Sequence, residues 1–477
     1  MNDPFEHVVY LMLENHSFDQ MLGCMTEVYP DLEGVRPSAP GVNRDAAGRA
    51  YAQSPRETRQ VKPDPKHEAR NVRRQLADRN GGFIQDFLAA NGEKARAACP
   101  DIMGYFPRGK LRALHALAGE FVICDHWFSS LPGPTWPNRF FALSGTSNGR
   151  VLMPEGTKQL GMLWTQTQET IFDRLNARGV SWRVYFYDFP SSLILRRQRR
   201  PENLKNYRRI DRFFEAARGP ASEFPAFSFI EPKYLGLDQN DDHPPHNVMK
   251  AQKLIADVYN AIRSNPELWA TTLLVVAYDE HGGFYDHVEP PPAMPPDEHV
   301  EEYAFDRLGV RVPAVLVSPH LRAGVVTTQL EHSSLLRYLI GKWSLQPLGR
   351  RTQGEDALGE SLPWAPSLRT DTTPFIRVPN SELIPAEPDW EQQDVSTHHE
   401  GLHLMADILE AEETTEERIA EVARAIEGRE RSMPRASAAL GDRLIALGRA
   451  LRRPLEDEQR RRIVRTSEVV TKLTSRG

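Results

Sequence analysis

The sequence predicts an α/β protein: a three-layer α/β/α sandwich on a mostly parallel central sheet, with a helical extension at its C-terminal end. Three observations support this reading. Two continuous apolar runs, His7-Val8-Val9-Tyr10-Leu11-Met12-Leu13 and Leu273-Leu274-Val275-Val276-Ala277-Tyr278, lack the alternation of a half-exposed strand and suit strands covered on both faces. Strand-like and helix-like segments alternate through residues 1–345, the order that yields a parallel sheet between two helix layers. From residue 398 the pattern turns helical, with Leu404, Ile408, Leu409, Leu444, Leu447 and Leu451 set among many charges.

In chain order, strands are expected at 7–13, 121–124, 182–187, 227–230, 271–278 and 312–317, and helices at 110–119, 170–178, 246–264 and 332–343. A further helix is expected from Thr135 to about Gly145. Thr135 reads as its N-cap, with Pro137 in the first turn, where a missing N–H costs nothing. A hydroxyl there sits in the helix's positive end field, and the backbone N–H groups suit an oxyanion. Pro290-Pro291-Pro292 and Pro295-Pro296 stiffen a loop over 289–303 that fits the wall of a site. The expected division is a domain at 1–345, a Pro-rich segment wrapping it at 346–397 and a helical extension at 398–477. The Arg460-Arg461-Arg462 run reads as a solvated helix face.

Composition narrows the function. The 59 Lys and Arg against 65 Asp and Glu leave a net charge of −6, which argues against nucleic acid as the main partner. Cys24, Cys99 and Cys124 have neither disulfide nor metal-clip spacing and read as small buried residues. No apolar stretch reaches 18 residues, so no integral membrane segment is expected. Asp3 and Glu6 break any secretory signal at the start. The sequence as it stands therefore predicts a cytoplasmic protein, exported only if a leader was removed; it sets no oligomeric state.

Both apolar runs end in ligand-type residues, the first in Glu14-Asn15-His16-Ser17-Phe18-Asp19 and the second in Asp279-Glu280-His281-Gly282-Gly283. Open α/β sheets gather ligands at the carboxyl ends of their strands. Oxygen ligands from distant parts of the sequence are thus expected to meet at one edge.

These blocks, with Pro132-Gly133-Pro134-Thr135-Trp136-Pro137-Asn138-Arg139, Asp241-Asp242-His243-Pro244-Pro245 and the continuation Phe284-Tyr285-Asp286-His287-Val288, resemble the bacterial phospholipase C and acid phosphatase family of the alkaline phosphatase superfamily. The likeness covers about residues 5–345, in the family's order, and stops short of the extension. It implies a phosphoesterase domain of alkaline phosphatase-like fold that hydrolyses phosphoric esters, from phospholipid head groups to small phosphoesters. It also implies one divalent ion held by Glu14, Asn15, Thr135, Asp279 and Glu280. An all-oxygen set favours Mg²⁺, Mn²⁺ or Ca²⁺, with Zn²⁺ allowed. Thr135 is implied as the nucleophile, passing through a phosphothreonine, with His67 and His243 donating to phosphoryl oxygens or protonating the leaving oxygen. His281 joins them as a catalytic candidate that lines the site, whereas His16, His287 and His332 read as supporting partners, with a second ion on His281, His287 and His332 the less favoured case.

Thr135-x-Pro137-x-Arg139 parallels the sulfatase nucleophile pattern, yet threonine cannot become the sulfatase aldehyde. A sulfatase-like or phosphonate-hydrolase-like relative, or a non-catalytic binding member, are the alternatives. Arg139 is expected to hold either the helix start, an anion or a structural ion pair. Trp127, Trp136, Tyr187 and Tyr285 are candidates for a cation–π cage around a quaternary ammonium, weighed against ordinary packing.

Overall fold

A computed structural model describes residues 3–153, 165–234, 238–300, 303–384 and 401–402. The extension expected at 398–477, with its arginine run, lies outside the described residues apart from 401–402.

The main elements, in chain order, are β1 (His7–Leu13), α1 (Arg112–Glu120), β2 (Val122–Cys124), α2 (Thr135–Ser144), α3 (Ile171–Arg178), β3 (Trp182–Phe186), β4 (Tyr207–Arg209) and α4 (Ile210–Arg218). They continue with β5 (Phe227–Glu231), α5 (Val248–Arg263), β6 (Thr272–Tyr278), β7 (Ala314–Val317), β8 (Gly324–Val326) and α6 (His332–Lys342). The eight strands form one sheet in the order β8-β2-β7-β6-β1-β5-β3-β4. All neighbours are parallel except β7, which runs antiparallel to both β6 and β2. Helices α1, α4 and α5 pack together on one side and α2, α3 and α6 on the other, giving the predicted three layers.

β1 lies at the centre because every one of its seven side chains is buried, as the unbroken apolar run requires. It pairs residue for residue with β6, from His7 opposite Thr272 to Leu13 opposite Tyr278. The two strands therefore end level, and the acids that follow them start from the same edge.

Three details depart from the sequence prediction. The strand expected at 312–317 is shorter, 314–317, and runs against its neighbours. Two edge strands, β4 and β8, and helix α4 were not predicted. Thr135 is the first residue of α2 rather than its N-cap: Pro134 takes the cap position, and no side chain caps the helix.

The proline-rich loop folds back beside the turn that precedes α2. Ala293 N–H donates to Asp306 (2.8 Å), Leu308 N–H to Pro291 (3.0 Å), and Phe305 packs in a cluster with Leu131 and Phe141. Arg351 fastens this wall by donating to the carbonyls of Ser130 (2.6 Å), Met294 (2.6 Å) and Phe305 (2.9 Å).

Candidate active site at the carboxyl edge of the sheet

Three segments meet where β1 and β6 end. Asp279 N–H donates to Leu13 (3.0 Å), His16 N–H to Glu280 (3.0 Å) and Glu14 N–H to Asp241 (2.8 Å). Asn15 N–H donates to the Asp279 carboxylate at 3.2 Å. Asn15 achieves this with a left-handed φ of 62°, a conformation that asparagine tolerates better than most side chains. The chain crosses closely here: a Cβ on Gly282 would fall 2.0 Å from the Asn15 carbonyl oxygen, and Gly282 itself has φ of 63°. Only glycine fits both demands.

Helix α2 delivers the other half of the edge. Arg139, fully buried, places Nε 3.0 Å from Asp279 Oδ2 and Nη2 3.2 Å from Glu14 Oε1, with its guanidinium over the Tyr234 ring at 5.4 Å. Thr135 stands four residues earlier, on the same face one turn back. Asn138 pins the turn before the helix, accepting from Leu131 N–H (3.2 Å) and donating to the Gly133 carbonyl (2.9 Å) and the Pro134 carbonyl (3.1 Å). The helix start is thus held by Asn138, and Arg139 pairs with the acids.

The histidines separate by environment. His67 lies 3.2 Å from the Asn15 amide and 3.9 Å from Glu280 Oε1, and its ring stands 5.7 Å from that of His243. The His243 backbone N–H donates to Asp241 Oδ1 (3.2 Å), an oxygen that also meets His246 Nδ1 at 2.6 Å. His281 is different: its Nε2 meets Gln75 Oε1 at 2.8 Å, and burial lowers its pKa to about 3. Its Nδ1 lies 3.5 Å from Glu280 Oε2, while its Nε2 faces the 69–102 helices. His332 donates Nε2–H to the Asp279 carbonyl (2.7 Å) and accepts from Trp127 Nε1–H (3.3 Å), so it orients a ligand-bearing strand end.

Gln75 was missed at the sequence level. Its oxygen accepts from His281, while its amide donates to the Lys66 carbonyl (2.7 Å) and to buried Asp86 (2.9 Å). One side chain thereby ties the His67 loop to the residue after Glu280. Asp241 and Asp242 were also given no role, although they close the edge between β1 and α5. Glutamine in Ala69-Arg70-Asn71-Val72-Arg73-Arg74-Gln75 carries no local signal; the acidic pair did, by standing in a quoted block.

Electrostatics at this edge are strained. Burial raises the carboxyl of Glu280 well above its ordinary range, reinforced by Asp279. Burial likewise raises Glu14 and Asp279, with Arg139 opposing the rise in both. Asn15 Oδ1, Thr135 Oγ1 and Glu280 Oε1 are buried without a hydrogen-bond partner among the described residues. Unsatisfied buried oxygens are costly, and those of Asn15 and Glu280, which both adjoin His67, are hard donors that fit a divalent cation.

A second cluster lies about Arg311. Asp19, Asp286 and His287 bring ligand atoms within 4.8 Å of one another. Arg311 already fills the cationic role there, with Nη2 3.0 Å from Asp19 and Nε 2.9 Å from Asp286. The Asp19 and Asp286 oxygens are already hydrogen-bonded, by Arg311, His287 and Gln53 among others, whereas Asn15 and Glu280 keep unsatisfied oxygens.

The four candidate aromatics do not form a cage. Trp127 and Trp136 are buried in the main core, Tyr285 lies in a separate cluster with Phe83, and Tyr187 packs at the core's margin.

The chain is similar in sequence to phospholipases C of plants and bacteria. Non-specific phospholipase C6 of Arabidopsis thaliana is 37% identical over 360 residues, covering 70% of this chain and 66% of that protein. Phospholipase C B of Mycobacterium tuberculosis is 27% identical over 436 residues, 80% of each chain. The chain spans about two thirds of the length of the plant relatives it matches. Among solved structures, the lipoteichoic acid synthase LtaP from Listeria monocytogenes aligns over 70% of this chain and 80% of its own, at 10% identity and a TM-score of 0.31. A protein in the alkaline phosphatase superfamily from Vibrio parahaemolyticus aligns over 51% and 64%, at 12% identity and a TM-score of 0.30. Residues 5–346, which contain every strand of the sheet and every side chain of its carboxyl edge, match the Phosphoesterase family, and the chain belongs to that family.

Proposed function

We propose that this protein is a metal-dependent phosphoric ester hydrolase of the phospholipase C type, with Thr135 as its nucleophile. The observation that carries this reading is the Thr135 hydroxyl: buried, without a hydrogen-bond partner among the described residues, and one turn from the arginine that pairs with Glu14 and Asp279. A structural threonine at a helix start would cap it, and this one does not.

Glu14, Asn15, Thr135, Asp279 and Glu280 would hold the ion. When bound, a divalent cation lowers the pKa of a coordinated hydroxyl and offsets charge on phosphoryl oxygens. Thr135 Oγ1 attacks phosphorus in line with the leaving oxygen, so that an O–P bond forms to threonine as the P–O bond to the alcohol breaks. Water then cleaves the phosphothreonine. Arg139 fixes the spacing between α2 and the two strand ends. The Thr135 proton leaves to solvent; the His243 imidazolium, with Nδ1–H donated to the Pro244 carbonyl, hands its Nε2 proton to the leaving oxygen and regains one from the water that later attacks the phosphothreonine, and His67 orients the Asn15 amide. His281 is held by Gln75 beside Glu280, where it lines the site.

The test compares wild type, Thr135→Ala and Thr135→Ser with a chromogenic phosphate ester, with and without chelator. Thr135→Ala is expected to lose turnover by a factor of about 10³ or more and to trap no phosphoenzyme, with Thr135→Ser retaining part of both. Unchanged turnover in Thr135→Ala sinks the assignment.

A further inference from the structure

Charge is spread unevenly over this chain. The net charge is −6, yet eight of the eighteen residues at 195–212 are Arg or Lys and two are acidic. The structure gathers this segment on the β4 side of the sheet. Ser191 and Ser192, just before it, donate from their hydroxyls to Glu231 at the carboxyl end of β5 (2.5 and 2.6 Å). The arginines that follow thus leave from the same sheet edge as Glu14 and Asp279, and the segment returns as the outermost strand, β4.

Within it, exposed Arg196, Arg200 and Lys205 form no ion pair among the described residues. Neither do half-buried Arg183 and Arg208, which bond only neutral oxygens: Arg183 those of Asn206 and Trp182 (2.8 Å each), and Arg208 that of Tyr207 (2.7 Å). Strand alternation and the pairing of Tyr185 with Arg208 put Arg183 and Arg208 on one face. Burial, then the positive charges of Arg183 and Arg212, depress the Arg208 guanidinium. Charged residues on an edge strand deter strand-to-strand association. That accounts for Arg208, and leaves Arg196 and Arg200, which lie outside the strand, unexplained.

Arg183 and Arg208 point to the α4 side, where Tyr185 packs on Phe213, whereas the segment carrying Arg196 and Arg200 lies on the α3 side, with Gln198 donating to Thr170 (2.8 Å). We infer that exposed Arg196 and Arg200, on the α3 side, dock the protein on anionic phospholipid surfaces and so present the carboxyl edge of the sheet to lipid. The choice of a bilayer rests on the phospholipase C reading above, and the acidic balance of the remaining chain disfavours nucleic acid. Each cation near an anionic leaflet strengthens binding about fivefold, within the reach set by salt screening.

The experiment sediments the full chain with vesicles of phosphatidylcholine alone or mixed with phosphatidylserine, at low and high salt. Wild type is expected to bind the mixed vesicles at least about tenfold more tightly, with the preference collapsing in salt. Arg196→Glu/Arg200→Glu is expected to lose the preference while keeping turnover of a soluble phosphate ester. If that variant does not fold, Arg196→Gln/Arg200→Gln, both at exposed positions, takes its place. Equal binding to the two vesicle types, an undiminished preference in the variant, or displacement from vesicles by duplex DNA at lower concentration overturns the inference. Absence of wild-type ester turnover defeats the hydrolase reading instead and leaves the vesicle result to stand alone.

Discussion

Two buried arginines, each between two acids, make an instructive pair. Arg311 bonds Asp19 and Asp286 and also donates to the carbonyls of Glu33 (2.6 Å) and Asp125 (2.8 Å), while His287 and Gln53 complete the Asp19 carboxylate. Arg139 bonds Glu14 and Asp279, but the same edge also carries Glu280 and Asp241 and holds the unsatisfied oxygens of Asn15 and Glu280. The same residue types thus serve a closed structural network in one place and an open, oxygen-rich edge in the other. Satisfaction of polar atoms, more than the presence of acids, distinguishes the two.

The largest expected effect breaks the closed network. Arg311→Met leaves two buried carboxylates without their cation and should cost about 3–5 kcal/mol in denaturant-monitored unfolding. A loss under about 1 kcal/mol would mean the cluster is not closed in the sense described. Gln75→Leu comes next, since it cuts the tie between the His67 loop and the His281 side of the ligand edge. It should weaken metal affinity or turnover by about 10–100-fold, seen in Mn²⁺ titration and in kcat against KM, with Gln75→Glu recovering only the bond to His281. Unchanged metal affinity and kinetics in Gln75→Leu would reduce Gln75 to packing. The smallest effect is a pH dependence of the closed network. Burial opposes the His287 charge, but the bond and charge of Asp19 outweigh it and raise the pKa to about 9. A raised folded-state pKa stabilises fully below the unfolded value of about 6.5, and that stabilisation is lost as pH climbs through about 9. Tm should fall by a few degrees between pH 7 and 9.5, and His287→Gln should flatten that slope.

Legibility in the sequence followed burial. β1 was predicted to the residue because seven consecutive buried positions leave an unbroken apolar signature. β4 and β8 escaped because three-residue edge strands, one of them Tyr207-Arg208-Arg209, have neither length nor alternation. The reversed direction of β7 was invisible, since Ala314-Val315-Leu316-Val317 reads alike from either end. At the candidate site, Glu14, Asn15, Asp279 and Glu280 were readable because strand ends announce themselves, and their meeting followed from sheet logic. Thr135 was assigned a cap by residue type, which the cap position of Pro134 overrides. Gln75 was unreadable: its part depends on three partners from residues 66, 86 and 281, brought together only by tertiary packing.

The central position of β1 has a cost during synthesis. Its two neighbours, β5 and β6, follow it by more than 200 residues, so a sticky seven-residue segment waits for that length of synthesis without a pairing partner. Pairing across the centre of the sheet is therefore a late event, and β1 needs protection from misassociation until it occurs.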